Sequence, residues 1–154
     1  MIKIISVGTI KEKYFLQACE EYKKRLSRWV KVEEIEIKEE DENKYSNIET
    51  LLEKEADKVL KFIKEDEFII VCDVNGFEFS SEEFSEILRK NIYSGKNITF
   101  IIGSSNGLSN EVKRKADLLI SFSKLTFPHQ LFRVLLYEQI YRGFSIIYGT
   151  KYHK

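Results

Sequence analysis

Five short runs of β-branched and aromatic residues, each followed by a turn signal and then by a segment with a helical period, restrict this chain to an α/β layer fold. The first run, Ile2 to Val7, stops at Gly8. Phe68-Ile69-Ile70-Val71-Cys72 and Ile98 to Ile102 are apolar without alternation, the pattern of strands covered on both faces in a parallel sheet. Val32 to Ile37 and Leu118 to Phe122 are weaker strands of the same kind. Between them, Tyr14, Phe15, Ala18, Cys19, Tyr22 and Leu26 recur at spacings of three and four and predict an amphipathic helix. A second helix has the apolar face Ile48, Leu51, Leu52, Val59, Leu60 and Ile63, with Ser46 and Glu49 spaced as a capping box. Ser80 or Ser81 caps a third through Ile92, and Ser109 a short fourth to about Ala116. The last opens at Pro128, which suits a first helical turn, and runs to about Gly143. Lys38 to Tyr45 is predicted to be a loop and Asp73 to Gly76 a turn. Ligands of such a fold bind at the carboxyl ends of the strands.

A chain of 154 residues is long enough for one self-standing core, so residues 1–154 are read as a single domain. No apolar run approaches the roughly 18 residues of a membrane span, and the first residues lack the long apolar stretch of a secretory signal. The expectation is a cytoplasmic protein with no membrane partner. Cys19 and Cys72 are the only cysteines, too few for a disulfide framework, and both are read as small core residues.

The net charge is zero but unevenly spread: +5 over residues 1–32, −13 over 33–86, and +4 over each of 87–122 and 123–154. Strong sequence-blind binding to free nucleic acid needs a basic protein, so any such role falls to a local patch.

Familiar motifs are absent. Gly8 is followed by Thr9-Ile10-Lys11, which excludes a dinucleotide fingerprint, and Gly107 by Leu108-Ser109, without the lysine of a phosphate loop. His129 and His153 are the only histidines and no cluster has metal-ligand spacing, so no metal is expected. No Gly-x-Ser-x-Gly elbow carries a nucleophilic serine. What remains is three strand-end loops: residues 72–76, Gly103-Ser104-Ser105-Asn106-Gly107, and Ser121 to His129. Small and turn-forming residues leave the backbone N–H and C=O groups of such loops open to a purine-like ring. Glu138 and Arg142, four apart on the last helix, fit either a site or a plain ion pair.

Three stretches carry a resemblance: Phe100-Ile101-Ile102-Gly103 with Gly107-Leu108-Ser109, the run Ser121 to Arg133, and Glu138 to Arg142 with the ending Tyr152-His153-Lys154. Over essentially the whole chain the sequence resembles the RlmH family, large-subunit ribosomal RNA pseudouridine methyltransferases of the SPOUT superfamily. It departs from that family's usual pattern at Ser104 for a second glycine, Cys72 for leucine, Gly143 for alanine and Lys151 for proline. The resemblance implies an α/β fold with a carboxy-terminal trefoil knot, S-adenosylmethionine as methyl donor, a homodimer, and methylation of a pseudouridine N3 in ribosomal RNA, with assembled ribosomes the expected substrate. Its cofactor contacts carry over to Cys72, Gly103, Phe122, Ser123, Lys124, Leu125, Thr126 and Phe127. His129, Arg142, Tyr152 and His153 become the candidates around the target base. A noncatalytic ribosome-binding module and a flavodoxin-like nucleotide binder are the competing readings; the second leaves the Ser121 to Arg133 run without a purpose.

Overall fold

The computed structural model describes residues 1–154. Strands β1 (Ile2–Val7), β2 (Val32–Ile37), β3 (Phe68–Phe77), β4 (Ile98–Ile102) and β5 (Leu118–Ile120) alternate with helices α1 (Lys13–Leu26), α2 (Ile48–Leu60), α3 (Ser81–Tyr93), α4 (Asn110–Arg114) and α5 (His129–Ile147). The strands form one sheet in the order β2-β1-β4-β3-β5, every pairing parallel. Because successive side chains on a strand point to opposite faces, the central strands feed two separate cores. Ile2, Ile4, Ile70, Ile98 and Phe100 pack with Cys19, Leu88, Leu136 and Phe144 of α1, α3 and α5. Ile5, Val7, Val71 and Ile101 pack with Ala56 and Val59 of α2 and Val112 of α4 on the other face. Each such fully buried aliphatic side chain contributes about 1.5–3 kcal/mol, and this two-sided demand is why β1 and β4 are apolar without alternation.

One charge crosses into the second layer. The Lys3 ammonium is 2.5 Å from Glu67 Oε1 and donates to the Phe62 carbonyl, while Thr99 Oγ1 donates to Glu67 Oε2. With both partners and their remaining hydrogen bonds satisfied the pair is tolerated; removing one partner costs about 3–5 kcal/mol.

Several boundaries differ from those expected. Residues 73–76 do not turn: β3 continues to Phe77, with a register shift between Cys72 and Phe77 that lets both pair with Ile120. Gly76 makes this possible, since a Cβ there would lie 2.7 Å from the backbone of Leu119 and Ile120. Asn47, not Ser46, caps α2, its extended backbone placing Oδ1 to accept from Thr50 N at 2.8 Å. The 38–45 stretch contains a single 3-10 turn, Glu42–Lys44, capped by Asp41. α4 stops at Arg114 because the chain must enter β5, where Asp117 and Ile69 exchange hydrogen bonds. β5 ends at Ile120, two residues early, as Phe122 turns to pack on Phe132. α5 starts after Pro128, its N-cap, and continues past Gly143 to Ile147; Gly143 lies against Leu88 in a close helix crossing and does not stop the helix.

The contact at Gly76 is with backbone, which cannot rotate away. Gly76→Ala is therefore expected to lower unfolding free energy by about 1–3 kcal/mol, read by urea denaturation.

Candidate functional site

The direction in which each strand hands over to its helix fixes where a crevice opens. β4 leads to α4 on one face of the sheet, whereas its neighbours β1 and β3, and β5 beyond, lead to α1, α3 and α5 on the other. At the carboxyl end of β4 the loops part, the arrangement that makes a binding crevice in open α/β sheets. A cavity of about 790 Å³ lies there. It is lined by all three loops singled out from the sequence: Cys72 to Asn75, Gly103 to Leu108, and Ser121 to His129 with the exception of Lys124.

The third loop offers the cavity backbone donors. Ser121 N donates to Phe77 O and Leu125 N to Ser123 Oγ, but the N–H groups of Phe122, Ser123, Thr126 and Phe127 find no partner in the chain. Such open donors are uncommon in folded proteins away from water or ligand. Leu125 stands out from the surface at 73% exposure. Cys72 borders the cavity and is half-buried, so only Cys19 is a fully buried core residue; burial pushes the Cys72 thiol up to about 12 and keeps it protonated at neutral pH.

One group that sequence reasoning left out is also present. Lys113 of α4 reaches the cavity wall and pairs with Asp73 at 2.6 Å. Burial acts to raise the Asp73 pKa, but hydrogen bonds from Lys113 and the Asn75 amide outweigh it, and the carboxyl stays below its ordinary value. No sequence signal links a lysine in a short basic helix to a strand end forty residues earlier.

Of the four candidates for the target base, only His129 reaches this cavity. Its ring lies beside Gly8, where a Cβ would come within 3.3 Å of Nε2. The next turn of α5 is fixed by Arg133, 2% exposed, which donates to the Gly8 carbonyl at 3.0 Å and to Glu36 at 2.7 Å. Arg142, Tyr152 and His153 gather elsewhere, about 20 Å along α5 at 1.5 Å per residue. There Arg142 pairs with Glu138 at 2.6 Å, the Tyr152 hydroxyl donates to the other Glu138 oxygen at 2.7 Å, and the Arg142 guanidinium lies 4.8 Å from the centre of the Tyr152 ring. His153 bridges Arg142 (3.2 Å) and Glu82 of α3 (2.7 Å). Arginine only donates, so His153 Nδ1 is the acceptor and its proton sits on Nε2, facing Glu82. Glu138 and Arg142 are thus an ion pair, as the bland alternative held, and also the anchor of the tail.

The whole chain can be set beside known proteins. Residues 1–153 match the family described as "Predicted SPOUT methyltransferase". The chain belongs to the SPOUT methyltransferases. Among its relatives in that family, proteins named "Ribosomal RNA large subunit methyltransferase H" from Caldicellulosiruptor bescii and Caldicellulosiruptor saccharolyticus are 92% and 68% identical, each over the full length of both chains. One of the same name from Clostridium kluyveri is 48% identical over 99% of each. The structure of a probable methylase family protein from Haemophilus influenzae superposes with a TM-score of 0.56 at 16% identity, covering 99% of this chain and 70% of that one, a likeness of fold. No helix of this methyltransferase is long and apolar enough to cross a membrane, and no group of three or more His, Cys, Asp or Glu side chains is arranged to hold a metal ion.

The tail anchor has a pH signature. Burial raises the Glu138 pKa, but hydrogen bonds from Tyr22, Tyr152 and Arg142 together hold it below the ordinary glutamate value. A carboxyl depressed on folding stabilises above its unfolded pKa, and that contribution is lost as pH falls through the depressed one. The ring resonances of Tyr152 should therefore move toward those of a disordered tyrosine on acidification through that window, and Glu138→Gln should show the loosened positions at all pH values.

Proposed function

We propose that this chain is an S-adenosylmethionine-dependent methyltransferase acting on N3 of a pseudouridine in large-subunit ribosomal RNA. The observation that carries the reading is the cavity at the carboxyl end of β4, with its open backbone donors, in a chain whose full-length relatives at 92% and 68% identity are named as ribosomal RNA large subunit methyltransferases. Its volume falls in the range of small-molecule sites, roughly 300–1,000 Å³. The donor set fits a nucleoside: the N–H groups of Phe122, Ser123, Thr126 and Phe127 suit ring nitrogens and ribose oxygens, and Phe122, Phe127 and Phe132 give the apolar wall. Phe122, Ser123, Leu125, Thr126, Phe127, Cys72 and Gly103 would hold the cofactor, within the trefoil knot that the family resemblance implies. Lys124, exposed and outside the cavity lining, would contribute through its main chain alone.

When bound, S-adenosylmethionine supplies a methyl group already activated on a sulfonium. The protein's own residues then need to align the base and take up the N3 proton, with no covalent nucleophile. Arg142 holds a phosphate or a base carbonyl oxygen, Tyr152 stacks on a base, and His153 receives or relays the proton once Arg142 turns from its Nδ1 to the RNA. His129 orders the cavity mouth. Since Arg142, Tyr152 and His153 lie about 20 Å along α5 from His129, one chain does not assemble these parts by itself, and the reading requires a homodimer in which the tail of one subunit meets the cavity of the other. Exposed Tyr14 and Leu16 on α1 and Leu125 beside the cavity are apolar surface for that contact.

Calorimetric titration of metal-stripped protein should give saturable S-adenosylmethionine binding, and light scattering about twice the mass of the chain. Binding only on addition of a divalent ion, or a fully active monomer, contradicts the reading. Intact ribosomes should accept methyl groups far better than naked RNA, because a neutral protein makes few phosphate contacts of its own. Deleting Tyr152, His153 and Lys154 removes no side chain of the buried core. It should abolish methyl transfer to ribosomes, measured by mass spectrometry of the RNA, while cofactor binding persists. Equal rates for the truncated protein would defeat the tail's role.

A further inference from the structure

Glu55 is a charged residue in an apolar place. It sits in the middle of α2 between Leu51 and Val59, both fully buried, beside Ala56, and is itself 2% exposed. No cation approaches within salt-bridge distance; Lys58, one turn on, pairs with Glu40. Burial raises the Glu55 pKa, the expected response of a carboxyl held in such surroundings. An aliphatic side chain would satisfy the packing without that penalty, so the two oxygens call for a reason of their own.

One oxygen reaches the wall of the cavity and the other the segment behind it. Oε1 accepts from Ser104 Oγ at 2.9 Å, and Oε2 accepts from the Glu40 amide at 3.0 Å. Ser104 Oγ in turn accepts from the Asn106 amide at 3.3 Å, and the Ser104 carbonyl from the Gly107 amide at 2.9 Å. Residues 103–107 are thereby closed into a tight turn whose inner side lines the cavity. The Glu40 contact holds the acidic segment against the same turn from outside. There Glu39 Oε1 accepts from the Ser105 amide at 3.3 Å, and Glu42 Oε1 from Asn106 Nδ2 at 2.8 Å.

We propose that Glu55 is a positioning residue for the cofactor: through Ser104 it pins the 103–107 turn in the shape that binds S-adenosylmethionine, without touching the cofactor. The inference rests on the proposed use of this cavity for that molecule. A pin of this kind sets cofactor affinity and leaves the chemistry and the RNA contacts alone, because the remaining cavity walls and the tail are built on other elements.

The test is cofactor affinity in Ser104→Ala, Glu55→Ala and the double variant, with thermal melting alongside. Ser104→Ala keeps the backbone and removes only the hydroxyl, so it remains informative if Glu55→Ala does not fold. Loss of a hydrogen bond to a charged group should weaken S-adenosylmethionine binding about tenfold in Ser104→Ala. KM for the cofactor should rise in parallel, with kcat at saturation and KM for ribosomes near wild type. Glu55→Gln, which retains an acceptor for Ser104, should recover most of the affinity, and the double Ala variant should bind no worse than Glu55→Ala. Wild-type affinity in folded Ser104→Ala, or losses that add in the double variant, overturns the pin while leaving the proposed function standing. Wild-type protein that binds no S-adenosylmethionine overturns both.

Discussion

Everything in this molecule is arranged around one requirement, that β1 and β4 be covered on both faces. Ile2 and Ile4 point one way along β1 and Ile5 and Val7 the other, all essentially without solvent contact. Neither face can be left open, so helices must return to both. Because parallel strands are joined only by crossovers, the choice of face for each crossover decides which loops meet at the carboxyl edge. β4 sends its helix to the opposite side from its neighbours β1 and β3, and the resulting gap is the cavity. The cavity is in this sense a by-product of covering the sheet, refined by which residues occupy the loops.

The residues on those loops divide the work between rigid and open backbone. The turn at 103–107 is closed by its own hydrogen bonds and braced from outside by carboxylates. The stretch from 122 to 127 leaves most of its N–H groups free. A site with one fixed wall and one wall of open donors holds a ligand by shape on one side and by direction on the other. The polar tail cluster follows a different logic: it depends on charge, with Glu138 holding Arg142 and Tyr152 and Glu82 holding His153.

Much of the fold was legible because the period of the apolar residues is a physical consequence of two-sided burial. The five strands and the five helices stand where the spacing puts them, and the three loops meet as their strand-end positions imply. The misreadings share a cause. Asp73-Val74-Asn75-Gly76 has the composition of a turn, yet the small size of Gly76 serves a close crossing of β5. Gly143 likewise reads as a stop and is a helix contact. Local composition records that a side chain is absent, and only the three-dimensional neighbour explains why. The separation of His129 from Arg142, Tyr152 and His153 was also hidden, since a resemblance names residues without saying that a helix of 19 residues stands between them. Lys113 and Glu55 belong to the site through contacts across the fold, for which no spacing rule exists.

The buried Arg133 carries a consequence for the order in which the protein comes into being. Its guanidinium closes on the carbonyl of Gly8, 125 residues earlier in the chain, and on Glu36 of β2. The end of β1 thus obtains one of its partners only when the chain 125 residues further on has been made. At about 5–20 residues per second, β1 waits several seconds for α5. Until then, one face of its sheet lacks the helix that contributes Leu136, Tyr137, Ile140 and Phe144 to the core. The core can close over β1 only after α5 has been made.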